Sequence, residues 1–207
     1  MEPAPPAGAV LAGGRSERMG GQPKALLPLA GVPLLSHVLE RFAPQVDELV
    51  LSVERPTPEL NAFGVRQVPD PAPGSNGPLG GLLACMRALS QDGRGEWLLL
   101  APCDAPFLPL DLGARLLARA GEAGSGGAVV RWGGVSQPTF SLWHRDLLPE
   151  LERAVIEDNL GGFRQFLRRR PLAVLDWPSE AAAPPFFNIN DRQALATAEG
   201  MLRSTTG

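Results

Sequence analysis

Apolar residues in this chain come in short blocks, and the spacing within each block separates strands from helices. Residues 8–12 (GAVLA) are apolar without alternation and stop at Gly13 and Gly14, which predicts a buried strand feeding a glycine-rich loop. Leu34, Leu35, Val38, Leu39 and Phe42 recur at helical spacing until Pro44 ends the pattern. Residues 47–53 and 64–68 read as two further strands, followed by the turn-rich stretch PDPAPGSNGPLGG at 69–81. From Leu82 to Leu89 the chain is apolar almost all round except Arg87, the pattern of a helix held between layers. Residues 97–101 (WLLLA) again lack alternation, as a strand buried on both faces of a parallel sheet does.

The second half is less regular. Residues 126–132 and 136–143 read as strands joined at Gly133 and Gly134, the spacing of a hairpin. Pro149 opens a helix through Leu151 and Val155, with Leu160, Phe163, Phe166 and Leu167 continuing at helical spacing. Residues 172–177 form a last strand, and 191–203 a closing helix with Ala194, Leu195, Ala198 and Leu202 on one face. Strands separated by helices predict an α/β fold: a single three-layer α/β/α domain over 1–207, Rossmann-like, with a mostly parallel sheet and helices on both faces.

Composition narrows the function classes. At 44% hydrophobic and 20% charged, the 207 residues have the make-up of a folded domain, not of a disordered chain. The net charge of −3, with residues 168–170 (RRR) as the only basic run, argues against nucleic-acid binding and places that run on a solvated helix face. No apolar stretch approaches the roughly 18 residues of a membrane span, and residues 1–14 lack a basic leader pattern, so a cytoplasmic location is expected. With no long apolar stripe left unassigned, a monomer is expected. Cys85 and Cys103 lie in apolar segments with no CxxC pattern and no flanking histidines, which assigns them to the core.

Chemistry concentrates in residues 11–31. Gly13, Gly14, Gly20 and Gly21 allow close approach of the backbone to a ligand, while Arg15, Arg18 and Lys24 complement phosphate charge. This is a phosphate cradle in composition, but neither a Walker A nor a GxGxxG loop; the alternative is a surface loop with solvated charges. Asp104 follows the buried strand 97–101 at the end where open α/β sheets bind ligands. A carboxylate there suits magnesium, the alternatives being the cap of a helix near 106–118 or the closing of a turn. His37 and His144 are near no serine or cysteine elbow, and GxSxG is absent, so hydrolase chemistry has no support.

The run LAGGRSERMG at 11–20, followed by PKALLPLAGVPLL at 23–35, resembles the N-terminal signature of the molybdenum-cofactor guanylyltransferase family of nucleotidyltransferases. GPLGGL at 77–82, PCDAPFLP at 102–109, PTFSLW at 138–143 and FNINDRQAL at 187–195 extend the resemblance over nearly the whole chain. It implies transfer of GMP from GTP, with Mg2+, to the phosphate of molybdopterin carrying molybdenum, releasing pyrophosphate. Molybdoenzymes or cofactor-delivery proteins are the implied recipients of the product. The N-terminal half would bind nucleotide and the C-terminal half the acceptor.

Carried over by resemblance, Leu11, Ala12, Gly13 and Gly14 would face the nucleotide, Arg18 and Lys24 its phosphates, and Asp104 the metal. Ser52 and Asp70 would face the purine or ribose; family members often carry Asn where this chain has Ser52. Asn188 and Asn190 would line the acceptor end, or else pin a loop to backbone, and Pro138 and Thr139 would shape the acceptor side. The nucleophile is then an anionic phosphate monoester that needs no protein base. Competing implications are a CTP-dependent cytidylyltransferase, a sugar-1-phosphate nucleotidyltransferase and a non-catalytic nucleotide- or cofactor-binding partner. Retention of Arg18, Lys24 and Asp104 together counts against the last.

Overall fold

The computed structural model describes residues 4–13, 23–71, 77–91, 95–178 and 184–205. In chain order, β1 (Ala7–Leu11) leads through a short 3-10 turn (Lys24–Leu26) to a small hairpin, β2 (Pro28–Leu29) and β3 (Val32–Pro33). Then come α1 (Leu34–Phe42), β4 (Leu49–Val53), α2 (Pro58–Asn61), β5 (Arg66–Pro69), α3 (Pro78–Gln91), β6 (Trp97–Pro102) and α4 (Leu112–Ala123). The second half adds β7 (Gly127–Trp132), β8 (Val135–His144), α5 (Leu148–Glu152), α6 (Phe163–Arg169), β9 (Ala173–Trp177) and α7 (Arg192–Thr205).

Strands from both halves join one seven-stranded sheet in the order β5-β4-β1-β6-β8-β7-β9. All neighbours are parallel except β8, which runs antiparallel to both β6 and β7. This is the mostly parallel α/β sheet that the blocks of apolar residues predict. Successive residues of β1 and β6 enter opposite cores, as the strand period demands. Ala7, Ala9, Leu98 and Leu100 pack with α3, α5 and α6, whereas Val10, Leu99 and Ala101 pack with α1 and α4. Burial of both faces explains why these strands show no polar alternation.

A third, smaller cluster joins Leu27, Leu29 and Leu34 to Ile189 and Ala198, with Ala194, Leu195 and Leu202 against it. It fastens α7 and the segment before it to the chain just after Lys24. No described helix is long and apolar enough to cross a membrane.

Several boundaries differ from the sequence reading, each for a local reason. Pro78–Gly81, placed in a turn-rich stretch, belong to α3, because proline is well suited to a first helical turn. Helical spacing from Leu151 to Leu167 is broken by a π-helical turn (Arg153–Glu157) and by Asn159 at φ 55°. Gly133 and Gly134, both at positive φ, do make the predicted hairpin turn. Ala30 (φ 51°) and Gly31 (φ 82°) make a similar turn between β2 and β3, hidden from the sequence inside an apolar stretch. The helix after Asp104 starts only at Leu112, with Asp111 before it, so Asp104 is not its cap. The basic run lies exposed at the end of α6, where Arg169 pairs with Asp158 and Arg170 with Glu150.

Candidate active site

The order β5-β4-β1-β6 reverses direction of chain progress at β1, and ligands in such sheets bind past the strand ends at that reversal. A cavity of about 320 Å3 opens there. Its wall includes Leu11 and Gly13 from the end of β1, Ser52 from β4, Asp70 after β5, and Cys103 and Asp104 after β6. The N–H of Cys103 donates to the Leu11 carbonyl at 3.1 Å, and that of Asp70 to the Val53 carbonyl at 2.9 Å, so both segments extend the sheet's pairing into the wall.

Lys24 also lines the cavity, and most of the remaining wall comes from places that sequence spacing did not single out as nucleotide contacts. Gly77, Pro78 and Gly81 bring the start of α3 onto the sheet. A Cβ at Gly81 would overlap Ser52 Oγ and come within 3.1 Å of Leu11 Cδ2, so a side chain there would close the cavity floor. Thr139 arrives through a bulge in β8: the register runs from Val129↔Ser141 to Val130↔Gln137 and leaves residues 138–140 unpaired. Ser141 Oγ donates to the Pro138 carbonyl at 2.7 Å and holds that bulge.

Asp104 is 7% exposed, and its two carboxylate oxygens differ. Oδ2 accepts from Lys24 Nζ at 2.6 Å, while Oδ1 is buried without a hydrogen-bond partner among the described residues. A buried, half-satisfied carboxylate is costly unless a cation completes it. Among the described residues no cluster of three His, Cys, Asp or Glu could hold a metal alone. A lone carboxylate oxygen fits instead a hard divalent ion whose other ligands are phosphate oxygens and water.

Lys24 also donates to Asn190 Oδ1 at 2.5 Å, and the N–H of Ile189 donates to the Asp104 carbonyl at 2.9 Å. The structure therefore brings Lys24, Asp104 and Asn190 together beside the cavity. Asn188 has a buried Oδ1 with no partner among the described residues and does not line the cavity. Ala12 turns into the core, and its N–H donates to the Ser52 carbonyl at 2.8 Å. Arg18 and Gly14 lie outside the described residues.

Burial raises the Asp70 carboxyl above the usual carboxylate range, and the nearby Glu54 charge adds to the shift. Burial pushes the Cys85 thiol up to about 12 and the Cys103 thiol up as well, which keeps both protonated. His37 bonds the Leu29 carbonyl at 3.0 Å, and His144 lies beside Glu96 and Asp146, so both histidines have structural partners away from the cavity. A larger depression of about 990 Å3, lined by Pro5, Pro6, Trp97 and Leu117 among others, has no ionisable side chain in its wall among the described residues.

A cavity at the sheet's reversal point, with an ammonium and a carboxylate in its wall, lies where open α/β sheets bind ligands. Residues 8–176 match the model of the MobA-like NTP transferase domain. The chain belongs to this family. It is 40% identical to a molybdenum cofactor guanylyltransferase of Rhodopseudomonas palustris (strain HaA2), over 96% of this chain and 92% of that protein. Molybdopterin-guanine dinucleotide biosynthesis protein A from Archaeoglobus fulgidus shares the fold at a TM-score of 0.75, with 24% identity over 96% of this chain and 99% of that one. The fold also extends to 2-C-methyl-D-erythritol 4-phosphate cytidylyltransferase from Thermus thermophilus, with a TM-score of 0.67 and 21% identity over 96% and 99% of the two chains. The Rhodopseudomonas palustris guanylyltransferase is thus similar in sequence, whereas the two solved structures are similar in fold.

Proposed function

We propose that this chain transfers GMP from GTP to the phosphate of molybdenum-carrying molybdopterin, releasing pyrophosphate. The observation that carries this reading is the half-paired Asp104 carboxylate beside Lys24 at the mouth of the cavity. The N-terminal half holds the nucleotide: the backbone at Leu11 and Gly13 and the side chains of Ser52 and Asp70 face the nucleoside, and Gly81 leaves room for it. The C-terminal half presents the acceptor from the side of Thr139, Asn188 and Asn190.

Asp104 would hold Mg2+ through its carboxylate. When bound, that ion withdraws charge from the phosphate oxygens and favours departure of pyrophosphate. Lys24 supplies a mobile positive charge for the same phosphates, and Arg18, from the glycine-rich loop, a second. The acceptor phosphate oxygen forms a bond to the α-phosphorus of GTP as the α–β bridging bond breaks. Pyrophosphate carries away the bonding electrons, and no proton has to be removed from the nucleophile. The chain accordingly needs charge and positioning here, not a base.

Pyrophosphate release by the purified protein, with magnesium and molybdenum-loaded molybdopterin, tests this reading when GTP and CTP are compared in parallel. Release with GTP is expected. Release with CTP alone would move the protein to cytidylyl transfer, and silence with both would remove this acceptor.

A further inference from the structure

Lys24 occupies an unusual position for a residue that is to meet phosphates. Its ammonium lies between two oxygen acceptors, Asp104 Oδ2 at 2.6 Å and Asn190 Oδ1 at 2.5 Å, rather than extending freely into the cavity. The pair is largely withdrawn from water, with the Lys24 and Asp104 side chains 17% and 10% exposed. The two acceptors come from distant parts of the chain, but the bond from Ile189 N–H to the Asp104 carbonyl ties their backbones together. The cluster of Leu27, Leu29, Leu34 and Ile189 then fixes the lysine's own segment against the same unit. The result is a built seat for one cation, filled by the protein's own ammonium.

A buried carboxylate requires a counter-ion, and without nucleotide Lys24 provides it. A divalent ion needs the same carboxylate. Two cations held at one carboxylate repel each other strongly where water is scarce. A lysine on a flexible four-carbon stem can leave, whereas Asp104 cannot. The triphosphate offers the departing ammonium an alternative partner of higher negative charge.

We propose that Lys24 is the resident counter-ion of Asp104 and yields that place to a divalent cation, its ammonium passing to the phosphates of the incoming nucleotide. Asn190 is a positioning residue that holds the ammonium in the resting state. This exchange makes cation binding to the empty protein weak and couples it to nucleotide binding, since each ligand removes part of the cost of the other. The inference rests on the reading of the cavity as a nucleotide and cation site.

The test uses Mn2+ alone as the probe, counted as free ion by electron paramagnetic resonance, on the full chain without nucleotide. Folded Lys24→Met protein should bind Mn2+ at least about tenfold more tightly than wild type, a difference of about 1.4 kcal/mol. Equal or weaker binding would overturn the exchange. A second measurement needs no variant: acylation of Lys24 in the wild type, followed by mass spectrometry, should be slow in the free protein. It should speed up with millimolar Mn2+ and slow again when GTP is added with the metal. Reactivity that does not respond to Mn2+ would also overturn the proposal. Neither readout involves the acceptor or turnover, so a failure here leaves guanylyl transfer standing, while failed transfer with the exchange intact would count against the acceptor alone.

Discussion

Lys24 Nζ meets Asp104 Oδ2 at 2.6 Å although 80 residues separate them in the chain. The contact closes the gap between the end of β6 and the short turn before the β2–β3 hairpin. Breaking the pair costs stability, because the partner left behind is a charge largely withdrawn from water. The same contact sets the polar edge of the cavity, so stability and ligand chemistry share one pair of atoms.

Gly81 should be intolerant of a side chain where another helical glycine is not. Gly81→Ala gains up to about 1 kcal/mol of helix propensity but forces overlap with Ser52 Oγ, a crowding that costs about 1–3 kcal/mol. Lower thermal stability and about tenfold weaker GTP binding by calorimetry are expected. Gly121→Ala on α4, where nothing lies within 4 Å, should stabilise the protein by up to about 1 kcal/mol. If the two variants behaved alike, the close packing of α3 on the cavity floor would be wrong.

Asp70 gives a pH signature. Its carboxyl is raised by burial first and by Glu54 second, so the folded state holds its proton to higher pH than the unfolded chain does. Ionised Asp70 therefore lowers stability, and the loss grows as pH rises from the ordinary carboxylate range, near 3.9, through the raised folded value. Asp70→Asn should have a higher Tm than wild type at pH 7, with the difference vanishing as pH falls below the ordinary carboxylate range. A Tm difference that is constant with pH would contradict this.

The two thiols should be inert in the folded protein. Cys85, with its thiol pushed up to about 12, and Cys103, raised as well, should resist iodoacetamide at pH 8 and react on unfolding. Cys103 is the sharper case, since it is 3% exposed yet contributes to the cavity wall. Rapid alkylation of folded protein at Cys103, blocked by GTP, would mean that its sulfur projects into the cavity.

Strands β1, β4 and β6 were legible because burial on both faces leaves uninterrupted apolar runs, and Asp104 because it follows one of them directly. The neighbours of those strands were not legible. Pairing of β1 with β6 and the reversal of β8 are contacts between distant segments, which local periodicity does not encode. Thr139 reaches the cavity only because β8 bulges, and nothing in the alternation of residues 136–143 marks the slip. Asn190 is 166 residues from the lysine it holds, so its position beside Lys24 depends on the packing of Ile189 and α7, not on any spacing in FNIN. Gly77 to Gly81 looked like a turn because glycine and proline punctuate loops, yet the same residues suit a helix start that must press closely on a sheet.

Label transfer tests the central claim most directly. Wild type and Asp104→Ala would be incubated with molybdenum-loaded molybdopterin, magnesium and GTP labelled at the α- or the γ-phosphate, and the cofactor isolated. The wild type should place α-label, and no γ-label, on the cofactor, while folded Asp104→Ala should lose at least about a hundredfold in rate. γ-Label on the cofactor, or undiminished transfer by Asp104→Ala, would contradict guanylyl transfer at this site.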